Sequence, residues 1–85
     1  MKNKILIVDD ISENISILDN ILSVNYDIIV STNGPRAIEL AQTQSPDLIL
    51  LDIVMPDMDG IEVCKILKKD KNTQNIPIIF LTSKT

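Results

Sequence analysis

Residues 46–60 read Pro46-Asp47-Leu48-Ile49-Leu50-Leu51-Asp52-Ile53-Val54-Met55-Pro56-Asp57-Met58-Asp59-Gly60. An unbroken aliphatic run of strand length, Leu48 to Leu51, enters behind a proline and runs into an acid. Continuous rather than alternating apolarity describes a strand covered on both faces, as in a parallel sheet. Pro46 suits the strand's entrance, where a missing donor does least harm. Downstream, Asp59 and Glu62 have the spacing of a capping box. Ile61, Cys64 and Leu67 then give a helix its apolar positions. Lys65, Lys68 and Lys69 lie towards its C-terminal end, where positive charge complements the helix dipole.

The same alternation extends in both directions. Ile5-Leu6-Ile7-Val8 and Ile78-Ile79-Phe80-Leu81 are further aliphatic runs, the second entered through Pro77. Tyr26 to Ser31 is a weaker strand with polar flanks, suited to a sheet edge. Between the strands, Ile11, Ile15, Leu18 and Leu22 form one helical stripe, with Asp10 and Glu13 placed to cap its start. A second helix begins at Asn33-Gly34-Pro35, since proline is tolerated in a first turn. Ala37, Ile38 and Ala41 give it a small apolar face. The order is strand, helix, strand, helix, strand, helix, strand. It predicts an α/β fold, a doubly wound parallel sheet with right-handed crossovers.

Eighty-five residues make one small domain. Hydrophobic residues are 45% and aromatics 2%, so the core is aliphatic. Eight basic against twelve acidic side chains leave a net charge of −4, which argues against this segment gripping nucleic acid or anionic lipid. The single cysteine, Cys64, cannot close an internal disulfide. The apolar run at Ile5–Val8 is too short for an export signal or a membrane span, so the expected location is cytoplasmic. Histidine is absent, and any chemistry must proceed without imidazole.

Three acids fall where parallel sheets bind ligands, beyond the carboxyl ends of strands. Asp9 and Asp10 follow the first run, and Asp52 follows the third. Each could simply cap a helix or end a strand. Asp52 resists that reading, because apolar residues continue past it through Ile53, Val54 and Met55, and a charge in such surroundings must be solvated, paired or metal-bound. Unit charges about 4 Å apart repel by roughly 4 kcal/mol at an effective dielectric near 20, so converging carboxylates share a proton or recruit a cation. Oxygen-only donors favour a hard ion; Mg²⁺ fits, and Ca²⁺ or Mn²⁺ would also suit them. A carboxylate beside such an ion can attack phosphorus. Thr82, closing the fourth strand at the same rim, can offer a hydroxyl to the phosphoryl oxygens; the alternative is an ordinary strand residue.

The run Ile5-Leu6-Ile7-Val8-Asp9-Asp10 with Asn14, the stretch quoted above, and Ile76-Pro77-Ile78-Ile79-Phe80-Leu81-Thr82 together resemble the response-regulator receiver domains of two-component signalling, the CheY-like family. The resemblance covers essentially the whole chain and implies a flavodoxin-like receiver that switches protein interactions on phosphorylation. It implies Asp52 as phosphoacceptor, Asp10 as a direct Mg²⁺ ligand, Asp9 as one acting through water, and the Val54 backbone carbonyl as completing the site. Thr82 matches the switch hydroxyl. Val54 and Lys84 stand where side chains tune the lifetime of the phosphorylated state. Asp57 reads as a turn residue, Asp59 as a helix cap, and Met58 and Cys64 as packing residues. The phosphodonor implied is a histidine kinase or phosphotransfer protein, since this chain has no histidine.

Receivers of this family normally continue with a fourth helix, a fifth strand ending in a lysine, and a fifth helix. Lys84 cannot be that lysine, being two positions past Thr82. The expectation is therefore a receiver over residues 1–85, incomplete at its C-terminus, whose fourth strand is a bare apolar edge prone to pairing between chains. Two other readings compete. One is a degenerate receiver kept for assembly and never phosphorylated. The other is a Mg²⁺-dependent phosphohydrolase with an aspartyl nucleophile, which would want a second acid at the position of Val54. The intact acidic triad disfavours the first while the missing lysine favours it, and the missing acid disfavours the second, so a non-enzymatic phosphoacceptor is the expectation.

Overall fold

The computed structural model describes residues 2–81. Its elements are β1 (Lys4–Val8), α1 (Ser12–Leu22), β2 (Asp27–Ser31), α2 (Gly34–Gln44), β3 (Leu48–Asp52), α3 (Gly60–Lys69) and β4 (Ile78–Leu81). The strands form one parallel sheet in the order β2-β1-β3-β4. The expected element order and doubly wound topology are present, with β2 at an edge. Among the described residues no helix is long and apolar enough to cross a membrane.

Strand alternation sorts the core into two layers. Leu6, Val8, Ile49 and Leu51 face α2 and α3, packing with Ala37, Leu40, Ala41, Val63 and Leu67. Ile5, Ile7 and Leu50 face the other way, towards Ile15, Leu18 and Leu22 of α1. Burial on both faces explains why β1 and β3 carry unbroken aliphatic sequences. β4 is less covered, as expected of a bare edge. Its Ile79 and Phe80 keep 53% and 36% of their surface exposed, because β4 pairs only with β3 among the described residues.

Caps fix where the helices begin. The Asn33 side chain accepts the Arg36 N–H at 2.9 Å, with Pro35 in the first turn of α2. The Asp59 carboxylate likewise accepts the Glu62 N–H at 2.9 Å. For α1 the sequence reading needs correction. Its N-cap is Ile11 rather than Asp10, without a side-chain cap. Asp9 instead takes the Ile11 N–H at 2.9 Å, so Ile11 precedes the helix and lies exposed. The buried face of α3 is also offset, running through Gly60, Val63 and Leu67, while Ile61 points outward. At its far end the buried Thr73 hydroxyl donates to the Leu67 carbonyl at 2.7 Å. The Lys68 ammonium donates to the Gln74 and Ile76 carbonyls, tying the following loop to the helix.

Candidate functional site

The register of β1 against β3 creates the site. Asp47 clamps the entrance by accepting the Lys4 N–H at 2.8 Å and donating its own N–H to the Lys4 carbonyl at 2.8 Å. Pairing then runs from Ile5 opposite Leu48 to Val8 opposite Leu51. One residue further on, Asp9 and Asp52 lie abreast on strands that parallel pairing holds about 4.8 Å apart. Both continue the alternation of the α1-facing layer, Asp9 after Ile5 and Ile7, Asp52 after Leu48 and Leu50. Two carboxylates thus stand where the next aliphatic pair would be.

The structure brings Asp9, Asp10 and Asp52 together: one carboxylate oxygen from each lies within 4.8 Å of the others. Asp9 and Asp52 retain only 4% and 1% of their surface exposed. Asp10 is the most open of the three. Burial pushes the Asp9 carboxyl above its ordinary range. Hydrogen bonds from the Ile11 N–H and the Asn14 amide oppose the rise, and the charges of Asp52 and Asp10 add to it. The strain of this like-charge cluster would be relieved by a cation. Three converging carboxylates without nitrogen or sulfur donors, one open to water, fit a hard and partly hydrated ion such as Mg²⁺.

Beyond Asp52 the chain leaves the sheet. The Val54 N–H donates to the Asp52 carboxylate at 3.4 Å, while the Val54 side chain lies exposed beside the cluster. Met55 turns inward and is buried. Asp57 has a left-handed φ of 70°, and the Met58 N–H donates to the Pro56 carbonyl at 2.8 Å, making a tight turn about Asp57. Met58 packs against the α2–α3 side of the core, as does Cys64. Thr82 and Lys84 lie outside the described residues.

Two contributors carry no role in the sequence reading. Gly60 donates its N–H to the Ile53 carbonyl at 2.8 Å, and a Cβ there would overlap the carbonyl oxygen of Asp52. Only glycine allows α3 to start so close beneath the end of β3. The sequence signal was its place directly after the Asp59 cap. The other is Asn14, whose amide donates to Asp9 at 3.2 Å. Its signal was an amide in the first turn of a helix that begins just beyond an acidic rim.

Fold and site define a parallel α/β module with an acidic cleft at the carboxyl ends of its strands, and the comparisons give its family. The chain belongs to the response regulator receiver domain family, which it matches over residues 5–85. It is 42% identical over 84 residues to the response regulator PleD of Caulobacter vibrioides, covering 98% of this chain and 18% of that protein. To the alkaline phosphatase synthesis transcriptional regulatory protein PhoP of Bacillus subtilis it is 44% identical over 85 residues, covering 99% of this chain and 35% of that protein. The chain thus spans between about a fifth and a third of these relatives' length. Among solved structures, it superposes with a TM-score of 0.91 and 29% identity on the receiver domain of a Pseudomonas aeruginosa sensor histidine kinase that has a magnesium ion coordinated in its active site cleft, covering 99% of this chain and 70% of that one. The chain is a phosphoacceptor signalling domain.

Proposed function

We propose that Asp52 takes a phosphoryl group from the phosphohistidine of a partner histidine kinase or phosphotransfer protein, in a Mg²⁺-dependent reaction, and that the phosphorylated domain switches protein interactions. The observation that carries this reading is the convergence of Asp9, Asp10 and Asp52, whose carboxylate oxygens lie within 4.8 Å of one another. Asp9, Asp10, Asp52 and the Val54 backbone carbonyl would hold the ion. When bound, Mg²⁺ supplies neutralisation of the negative charge that gathers as phosphate approaches carboxylates.

The chain's own residues do the rest. A carboxylate oxygen of Asp52 attacks phosphorus as the donor's P–N bond breaks, giving an acyl phosphate and releasing the imidazole, which takes a proton from solvent. The buried end of β3 holds the nucleophile in one place, and Gly60 beneath it fixes the height of the strand end. Thr82 is assigned the hydroxyl that contacts the phosphoryl oxygens. Histidine is absent from these 85 residues, so the donor lies outside this domain. The exposed apolar edge of β4 supports a second interaction, strand pairing with another copy of the chain.

Treatment with acetyl phosphate and Mg²⁺ should add one phosphoryl group, read as a retarded band on a Phos-tag gel. Chelation of the metal should suppress it. Equal phosphorylation with and without divalent cation would refute the metal-dependent reading.

A further inference from the structure

We propose that Asn14 is a positioning residue for the acidic site, holding the Asp9 carboxylate in the orientation that receives Mg²⁺. The inference rests on the Mg²⁺ site proposed above and deepens it. Each Asp9 oxygen has a donor: Oδ1 accepts from the Ile11 N–H at 2.9 Å and Oδ2 from the Asn14 amide at 3.2 Å. Two donors on two oxygens fix both the position of a carboxylate and the tilt of its plane. So held, an Asp9 oxygen lies within 4.8 Å of oxygens of Asp10 and Asp52. Ligand-orienting partners of this kind typically govern metal affinity by ten- to a hundredfold.

Asn14 is itself firmly placed. Its N–H donates to the Ile11 carbonyl at 3.1 Å, inside the first turn of α1. Its neighbour Ile15 is buried in the α1-facing core, so that turn cannot roll away from the sheet. The side chain of Asn14 meanwhile lies on the exposed side of the helix. Asparagine is a poor helix former, and alanine would serve the helix better, so helix propensity does not explain the amide, whereas its bond to the buried Asp9 carboxylate does. Its chemistry suits the task. A lysine or arginine would orient Asp9 but cancel part of the charge that attracts a cation; a neutral amide orients without cancelling.

The test compares the parent with Asn14→Ala and Asn14→Gln by calorimetric titration with Mg²⁺, by the Mg²⁺ concentration giving half-maximal phosphorylation from acetyl phosphate, and by melting without metal. We expect Asn14→Ala to weaken Mg²⁺ binding and raise that concentration about tenfold, with the rate at saturating Mg²⁺ within about twofold of the parent. Asn14→Gln, which keeps the donor on a longer arm, should fall between them. The metal-free melting temperature of Asn14→Ala should fall only modestly, since Asp9 loses one donor but keeps the Ile11 N–H. An unchanged Mg²⁺ affinity in Asn14→Ala would overturn the assignment. So would a fall in melting temperature matched by loss of the saturating rate, the mark of a merely structural residue. A parent that binds Mg²⁺ yet takes no phosphate strikes the phosphotransfer reading alone, because the calorimetry still decides for or against Asn14. A parent that binds no Mg²⁺ removes both.

Discussion

The two central strands and the outer strand β4 are written in the same aliphatic alphabet, yet they have opposite fates. Leu6, Ile7, Ile49 and Leu51 lose all contact with solvent, whereas Ile79 and Phe80 of β4 remain 53% and 36% exposed. The difference is one of neighbours. β1 and β3 are flanked by strands on both sides and by helices on both faces. β4 has one strand beside it among the described residues. Asp9 and Asp52 extend the buried central strands, so both carboxylates are carried by the best-packed part of the sheet.

That contrast can be broken or sharpened by experiment. The largest effect expected is at the end of β3: Asp52→Asn should take up no phosphate from acetyl phosphate on a Phos-tag gel, and undiminished labelling would remove Asp52 as acceptor. Next comes the buried centre. Leu6→Ala should cost about 2–5 kcal/mol in urea unfolding, through lost burial and the cavity left behind. The matching truncation Ile79→Ala should cost less than about 1 kcal/mol, because half of that side chain is already in water. Equal costs would mean that β4 is covered in solution. The third effect concerns the edge itself. The parent should show a mass that rises with concentration in sedimentation, and Ile79→Lys should lower it by placing a charge on the pairing edge. A parent that stays monomeric at high concentration would remove the strand-pairing proposal.

The smallest effect belongs to Asp9. Burial raises its carboxyl pKa above the unfolded value, so the neutral form is the one folding favours. Its contribution to stability is full below the ordinary carboxylate pKa and is lost as pH rises through the raised value. Asp9→Asn stays neutral throughout. The metal-free variant should therefore melt above the parent at neutral pH, with the gap closing towards acid. Added Mg²⁺ should reverse the order, because it stabilises the parent by mass action and the variant less. A gap that does not change with pH would assign the gain to something other than charge.

The sequence by itself determined the alternation of strands and helices, the edge place of β2, the start of α2 at Asn33-Gly34-Pro35, the cap at Asp59, and the grouping of Asp9 and Asp10 with Asp52. These are local or periodic signals: an aliphatic run, a proline in a first turn, an acid at a strand end. It mistook the start of α1, because Asp10 and Glu13 have capping spacing while the carboxylate that takes the Ile11 N–H belongs to Asp9. It also set the apolar stripe of α3 through Ile61, when Val63 is the residue that faces the sheet. Tertiary structure alone decided why Gly60 must lack a Cβ beneath Asp52 and that Asn14 reaches Asp9. Spacing along a chain fixes which side of an element a residue occupies. Only packing fixes which atoms of another element it meets there.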